Sequence, residues 1–506
     1  MCGIYAYWGS FTSKEELCRY FMKMSHRGPD SSFFGTVVYN KLIFGFHRLA
    51  INGLDMLSNQ PLEFDDHVLI CNGEIFNFKE LIKEHRLDVA THSDCEVILG
   101  LYKLYGMDET MKMLDGEFAF ILYDRKKNEL LAGRDPLGIR PLFWDGTSSA
   151  DVSDITFASE AKAIIYTPGR SIEQFPPRQW WSSASGMHTY YEFPSKAMYY
   201  KHPERRLRFL LEEAVCKRVN NTDVEVGCLL SGGLDSSIVA AMAAKELGKD
   251  GKQIKTFCIG LEGSPDLEAA AKVAKHIGSK HYSVVIREKD IIEAIEPTIV
   301  ALESDDVTTI RASLGHRLVS KYVREHTNVK VLLSGEVADE LSGSYAYFSN
   351  APDDETFHRE SMRLLTDIHF FDGLRADRCV ASAGLELRVP FSDKHFVDFY
   401  TTLDPSLLRR DVEKDLLRKS CSDLLPEFIL KRRKNGFSDS VTSPTRSLGM
   451  IIREYFSLKN FQEELEMYKD IYNHHYSCQL IPYQWKPKWT AQDDPSGRLL
   501  QVYKGD

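Results

Sequence analysis

Val224-Glu225-Val226-Gly227-Cys228-Leu229-Leu230 runs straight into Ser231-Gly232-Gly233-Leu234-Asp235-Ser236-Ser237, and from there into an Ala-rich stretch that ends near Leu247. The first seven residues predict a buried strand, and Ser237 to Leu247 a helix. Between them, two glycines let backbone N–H groups turn towards a ligand without Cβ obstruction. A helix start adds partial positive charge that favours an anion. Ser231, Ser236 and Ser237 add hydroxyl donors, and Asp235 can hold a Mg²⁺ ion against phosphate oxygens. The loop lacks the lysine of the common P-loop and the spacing of G-x-G-x-x-G, so it predicts a phosphate site of another kind.

Downstream, the pattern repeats. Ile254 to Leu261 predicts a strand and Asp266 to Ile277 a helix, with Gly278 placed to end it. His281 to Ile286 and Val329 to Leu333 predict two more strands. Strands that are apolar on both faces and alternate with helices predict a parallel sheet covered on both sides, hence an α/β nucleotide-binding domain. From about Asp353 the chain reads as mostly helical.

Upstream, Pro203 to Arg218 has helical periodicity. Tyr166 to Ser195 is rich in Pro, Ser and aromatic residues without clear period. Before it, Ile4 to Trp8, Lys41 to Phe46, His67 to Cys71 and Phe118 to Tyr123 predict strands, with a helix over Ser93 to Leu104. The expected organisation is a first domain over residues 2–185, a linker over 186–202 and a second domain over 203–506.

The 506 residues suffice for two such domains. The formal net charge of -10 argues against a broad nucleic-acid surface, which needs clustered Lys and Arg. The 10 cysteines are scattered without C-x-x-C or zinc spacing, which predicts thiols in a reducing cytoplasm. No apolar run is long enough to span a bilayer, and no secretory signal pattern opens the chain.

Cys2 follows the initiator Met1. Were Met1 removed, Cys2 would carry nucleophile and general base in one residue, its thiol and its α-amine. Arg48 stands at a strand end and suits bidentate capture of a carboxylate. Asn72-Gly73-Glu74 follows an apolar strand, and a side-chain amide beside a glycine N–H can form an oxyanion hole. Glu74 and Asp94 can pair with a substrate ammonium.

With His26-Arg27-Gly28-Pro29-Asp30, Arg134-Asp135-Pro136-Leu137-Gly138 and Ser159-Glu160-Ala161-Lys162, these residues in this order resemble the class II glutamine amidotransferase domain. The resemblance implies an αββα N-terminal-nucleophile sandwich that splits L-glutamine. It implies Cys2 as nucleophile, Asn72 and Gly73 as oxyanion hole, and a glutamine site of Arg48, Leu49, Ala50, Ile51, Asn52, Asn72, Gly73, Glu74 and Asp94. Arg178 after Pro177 departs from a Pro-Gly turn common there.

The Ser231–Ser237 loop resembles that of enzymes cleaving ATP to AMP and pyrophosphate. Later segments resemble the glutamine-hydrolysing asparagine synthetase family: Gly260 to Leu267, Asp306 to Ser313, Ser334-Gly335-Glu336-Val337-Ala338-Asp339-Glu340, Leu385 to Phe391, Lys434 to Asp439 and Asp493 to Arg498. The resemblance implies ATP at Leu229, Ser231, Gly232, Gly233, Asp235, Ser236, Ser237, Ile259, Ser334 and Gly335. It implies aspartate and its adenylate at Thr308, Arg311, Glu336 and Asp339. Glu336, Arg311 and Lys434 would act on the adenylate chemistry, and Asp235 on Mg²⁺. L-glutamine, L-aspartate and ATP would be the small-molecule partners, with a homodimer as a family expectation. Another carboxylate acceptor, a glutaminase without synthesis and a non-catalytic relative remain alternatives.

Two departures bear on the second site. The family usually has Gly at Val337 and often Glu at Asn435. A valine resists positive φ, so a need for one at Val337 would shift the Glu336 loop.

Overall fold

The computed structural model describes residues 1–11, 13–146, 154–166, 170–432, 442, 446–478, 480–483 and 485–489. Twelve strands lie in its first part: β1 (Gly3–Trp8), β2 (Ser31–Val38), β3 (Leu42–Arg48), β4 (Leu62–Phe64), β5 (His67–Ile75), β6 (Gly116–Asp124), β7 (Glu129–Arg134), β8 (Phe143–Trp144), β9 (Ile155–Ala158), β10 (Glu173–Gln174), β11 (Gln179–Ser182) and β12 (Gly186–Thr189). They form two antiparallel sheets, ordered β10-β8-β9-β1-β3-β2 and β12-β11-β7-β6-β5-β4.

Side chains alternate along a strand, and here both faces are apolar. Ile4, Ala6, Leu42, Phe44 and Phe46 of the first sheet pack against Val68, Ile70, Ala119 and Ile121 of the second. On the outer faces, Tyr5 meets Phe21 of the helix Lys14–Met22, and Leu69, Cys71, Phe118 and Phe120 pack under the helix Val97–Met113. The layers therefore run helix, sheet, sheet, helix. Cys2 continues the parity of Ile4, and Asn72 that of Ile70, so both belong to the inner faces of the paired sheets.

The second part holds β13 (Val226–Leu229), β14 (Lys255–Leu261), β15 (Lys280–Ile286), β16 (Val331–Leu333) and β17 (Glu386–Arg388). They form one parallel sheet in the order β15-β14-β13-β16-β17. The chain leaves β13 first towards β14 and later returns on its other side as β16. Loops after β13 and β16 thus open a crevice at their carboxyl ends, where open α/β sheets bind ligands. The helix Leu234–Gly248 follows β13, and the helix Pro265–Ile277 follows β14 and ends on Gly278 at φ 68°.

The structure differs from the sequence expectation in two places. β12 pairs with β11 and carries the second sheet four residues into the stretch expected as linker. β17 lies in a stretch expected as helical; three residues are too short to display a period, and two of them are charged. Among the described residues no helix is long and apolar enough to cross a membrane.

One apolar cluster crosses the seam between the two parts. Met1, Leu49, Ile51, Leu137 and Ile139 join Val226, Leu332 and Leu387 of the parallel-sheet part. Cys2 packs against both this cluster and the core between the antiparallel sheets.

Candidate active sites

The first site lies at the start of β1 and towards the ends of β3 and β5. The Leu49 N–H donates to Cys2 Sγ at 3.5 Å, and the thiol lies 3.7 Å from the Leu49 carbonyl. Burial pushes the Cys2 thiol up to about 11, against the pull of the neighbouring amino terminus. Met1 is itself fully buried; its amine donates to Leu385 O at 3.2 Å, and burial lowers that amine to about 6.

Asn72 is fully buried, and neither its amide oxygen nor its amide nitrogen has a hydrogen-bond partner among the described residues. A buried amide left unsatisfied costs about 1–3 kcal/mol, so it needs a reason, and a substrate oxygen supplies one. Gly73 has φ 150°, and a Cβ there would stand 2.1 Å from Glu117 O. Only glycine fits this close approach of β5 to β6.

The remaining first-site residues surround this pair. Arg48 donates to Asp55 O at 2.9 Å, to Asn59 Oδ1 at 2.6 Å and to Gly53 O, so the loop after β3 folds around its guanidinium. Ala50 N–H donates to Asp30 Oδ2 at 2.8 Å, and Asn52 Nδ2 donates to Glu74 Oε2. Leu49 and Ile51 face the seam. Asp94 Oδ2 accepts from Ile75 N–H at 2.6 Å. Burial pushes its carboxyl up to about 6, and holds Glu74 well above the usual carboxylate range beside Asp94. Arg388 of β17 reaches Glu74 at 3.2 Å from across the seam.

The second site is built from the loops after β13 and β16. Ser231 Oγ accepts from Gly233 N–H at 3.3 Å and lies 3.1 Å from Ser236 Oγ, while Ser237 is buried at the helix start. Gly232 takes φ 72°. Leu229 ends β13, and Ile259 lies in the neighbouring β14. A Cβ on Gly335 would stand 2.9 Å from Asp235 Cβ and from Ser236 N, so the two loops touch through this glycine. Ser334 N–H donates to Arg388 O at 3.1 Å.

Lys414 Nζ stands between two carboxylates, 2.5 Å from Asp235 Oδ2 and 2.5 Å from Asp339 Oδ1. Burial works against its charge, but Asp235 and Asp339 outweigh that and hold the ammonium above its ordinary value. Glu336 accepts from Arg375 Nη2 at 3.0 Å. Burial raises the Glu336 carboxyl, and Arg375 pulls it back.

Val337 takes φ 75° and ψ -19° and is 1% exposed. The position does take the left-handed region, and in this loop Glu336 meets Arg375 and Gly335 meets Asp235. Burial of the valine side chain in the seam cluster offsets the strain. Val337→Ala loses the burial and keeps the strain, whereas Val337→Gly loses both. The glycine protein is therefore expected to be the more stable of the two by about 1 kcal/mol in denaturant titration, the reverse of the usual order.

Thr308 lies in the first turn of the helix Val307–His326, which Asp306 caps by accepting from Thr309 N–H at 2.8 Å. Arg311, on the same helix, turns to the fully buried Glu464, donating from Nε at 2.8 Å. Lys434, Asn435 and the segment Asp493 to Arg498 lie outside the described residues.

The candidate residues thus gather in two clusters, one around Cys2 and one around the loops after β13 and β16, and the seam cluster has members beside both. Residues 1–179 match the glutamine amidotransferase domain family, and residues 206–355 and 349–493 match asparagine synthase. The asparagine synthetase [glutamine-hydrolyzing] of Bos taurus is 39% identical over 564 aligned positions, covering 100% of this chain and 99% of the relative. Those of Homo sapiens and Gallus gallus are 38% and 39% identical with the same coverage. The chain belongs to the glutamine-hydrolysing asparagine synthetase family.

Within this asparagine synthetase framework, the sequence gives Lys414 and Arg375 no role, and Arg388 only a place in the segment Leu385 to Phe391. Charged residues are rarely buried unless paired, so each reads as a surface residue when its partners are distant in sequence. Arg375 and Arg388 each stand two or three residues from a further charge, in Arg375-Ala376-Asp377-Arg378 and Glu386-Leu387-Arg388. Nothing local in Glu413-Lys414-Asp415 marks the lysine.

Proposed function

We propose that this chain forms L-asparagine from L-aspartate and ATP, with ammonia that it releases from L-glutamine. The observation that supports this reading is the coexistence of two clusters of candidate site residues in one chain. One has a thiol and an unsatisfied buried amide on the inner faces of the paired sheets; the other has a glycine-serine loop with carboxylates and a buried ammonium. The fold suits each role: the helix, sheet, sheet, helix layers suit an αββα N-terminal-nucleophile hydrolase over residues 2–185. The parallel sheet suits an ATP pyrophosphatase-type synthetase over 203–506.

In the first site, loss of Met1 frees the α-amine of Cys2 to accept the thiol proton. The thiolate attacks the glutamine side-chain carbonyl, and the oxyanion takes hydrogen bonds from Asn72 Nδ2 and Gly73 N–H. The tetrahedral intermediate expels ammonia, the proton returning through the α-amine. Water then cleaves the thioester to glutamate. Arg48 binds the glutamine α-carboxylate, and Asp94 with Glu74 its ammonium. Asp94 bears its charge only above about 6. Its ion pair with glutamine is accordingly lost as pH falls through that value. Between pH of about 7.5 and about 5.5, kcat/KM for glutamine is expected to fall about fourfold more in the parent than in Asp94→Asn.

In the second site, the β-carboxylate of aspartate attacks the α-phosphorus of ATP and displaces pyrophosphate, giving β-aspartyl-AMP. Ammonia attacks the acyl carbon and AMP leaves. Backbone N–H groups at Ser231–Ser237 cradle the phosphates, with Leu229 and Ile259 towards the adenosine. Asp235 and Asp339 converge on one ammonium, and their oxygens would hold a hard cation such as Mg²⁺, which would supply charge neutralisation of the leaving pyrophosphate. Glu336, held by Arg375, orients the reacting carboxylate; Lys434 adds positive charge.

The test is aspartate-dependent pyrophosphate release with ATP and Mg²⁺, with asparagine measured by mass. Release with aspartate and not with glutamate or β-alanine supports the assignment. Release only with another carboxylate would replace the acceptor and leave the two-site scheme standing.

A further inference from the structure

One helix, Asp372–Ala381, touches both sites. On one side, Arg375 donates from Nη2 to Glu336 at 3.0 Å and from Nε to Asp372 Oδ1 at 2.6 Å. On another, Asp377 accepts a forked pair from Arg27, at 2.8 Å from Nη1 and 3.2 Å from Nη2. The third donor of that guanidinium, Arg27 Nε, reaches the carbonyl oxygen of Cys2 at 2.9 Å. An unbroken path of charge-assisted bonds therefore runs from the Cys2 backbone through Arg27 and Asp377 into the helix, and out through Arg375 to Glu336.

Two residues along a helix are about 200° apart, so Arg375 and Asp377 leave it on nearly opposite faces. The helix spans the seam as a strut. It is fastened a third time through Arg378, which pairs with Glu160 at 2.8 Å and Glu303 at 2.5 Å. Glu160 also accepts from Arg27 at 3.1 Å. Arg27, Asp377 and Glu160 are fully buried. Forked Arg–carboxylate pairs fix orientation as well as distance, and packed interiors transmit displacement because they do not compress. Helices at such seams shift as bodies by about 1–2 Å, and a nucleophile misplaced by about 1 Å loses about 10²-fold in rate.

We propose that Asp372–Ala381 couples the two active sites, and that Asp377 is the positioning residue that sets Cys2 through Arg27. Ligands that engage Glu336 load Arg375, move the strut and change the reactivity of Cys2. By linkage, a ligand bound reversibly beside Cys2 shifts affinity at the second site by the same factor by which second-site ligands shift its own affinity. The identity of those ligands rests on the function proposed above; the path itself does not.

The test measures alkylation of Cys2 by iodoacetamide, followed on the N-terminal peptide by mass spectrometry, with and without ATP, Mg²⁺ and aspartate. Binding of those ligands is monitored separately by melting temperature. The parent rate is expected to change by about fivefold or more on ligand addition, as a displacement of Cys2 by a fraction of an ångström would cause. Asp377→Asn, which keeps the shape and removes the charge, is expected to show the same rate with and without ligands. Its ammonium-dependent asparagine formation should stay within about twofold of the parent, which a general loss of structure would not permit. Arg27→Lys provides the second variant should Asp377→Asn not fold; it keeps the charge and loses the fork, and the response should vanish there too. A parent rate indifferent to bound ligands overturns the proposal. So does a variant that retains the parent response, which would move the link to Arg388 between Glu74 and Ser334. A ligand response lost in Asp377→Asn, in a protein that forms no asparagine, would sink the function and leave the coupling intact.

Discussion

The Cys2→Ala protein is expected to form no asparagine from glutamine while forming it from ammonium at the parent rate. Loss of a nucleophile from a preorganised site costs on the order of 10⁴- to 10⁶-fold, because the remaining oxyanion donors act on an attack that no longer occurs. The replacement removes one sulfur atom, whose only described polar contacts are with the Leu49 backbone. It disturbs neither the loops after β13 and β16 nor the Arg27 bond to the Cys2 carbonyl, which alanine also has. Ammonium supplied in solution bypasses the first site, so the second should proceed. Glutamine-dependent synthesis surviving in Cys2→Ala would place the nucleophile elsewhere. Loss with both donors would mean that the first site is needed for more than nitrogen supply. The state of Met1 gives an independent check. A chain that keeps Met1 has the Cys2 nitrogen in a peptide bond, and its one α-amine lies on Leu385 O and 4.0 Å from Glu386. A fraction whose intact mass includes Met1 should behave as Cys2→Ala does.

Legibility followed the physics of each element. The strand, loop and helix around Ser231–Ser237 were readable because glycine, serine and apolar runs are local signals, and the parallel sheet followed from strands apolar on both faces. Gly278 marked a helix end because a left-handed C-cap favours glycine. Cys2 stands out as a candidate in the sequence because an N-terminal nucleophile needs no partner at a distance. What stayed hidden is what depends on pairing across hundreds of residues. Lys414 meets Asp235 from 179 positions away, and Arg27 meets Asp377 from 350. Each of these charges, taken in its own stretch, has the composition of a solvated surface. Only the folded seam, which buries them together, shows that they are structural. Val337 is the intermediate case. The sequence exposes the conflict between a β-branched residue and a glycine position, but the sign of the outcome depends on burial that only the fold reveals.

The second large effect concerns Lys414, and Lys414→Met separates its two roles. Methionine keeps the apolar stem and removes the ammonium that both Asp235 and Asp339 contact. The carboxylates are then like charges held close, in surroundings that already disfavour charge. Removing one member of a buried ionic group costs about 3–5 kcal/mol. The Asp235 and Asp339 side chains retain 19% and 24% exposure, so solvent screening reduces the expected loss to about 1–3 kcal/mol. Pyrophosphate release should fall by about 10²-fold or more, since a preorganised positive charge is lost where negative charge develops. Glutamine hydrolysis, which depends on groups across the seam, should persist. The discriminating measurement is the melting temperature against Mg²⁺ concentration. If Asp235 and Asp339 form a cation site, the variant should gain more stability from Mg²⁺ than the parent, because the ion replaces the missing ammonium and binds only the folded state. A variant that is destabilised yet indifferent to Mg²⁺ would remove the metal from this pair of carboxylates and leave Lys414 as a structural tether between the two loops.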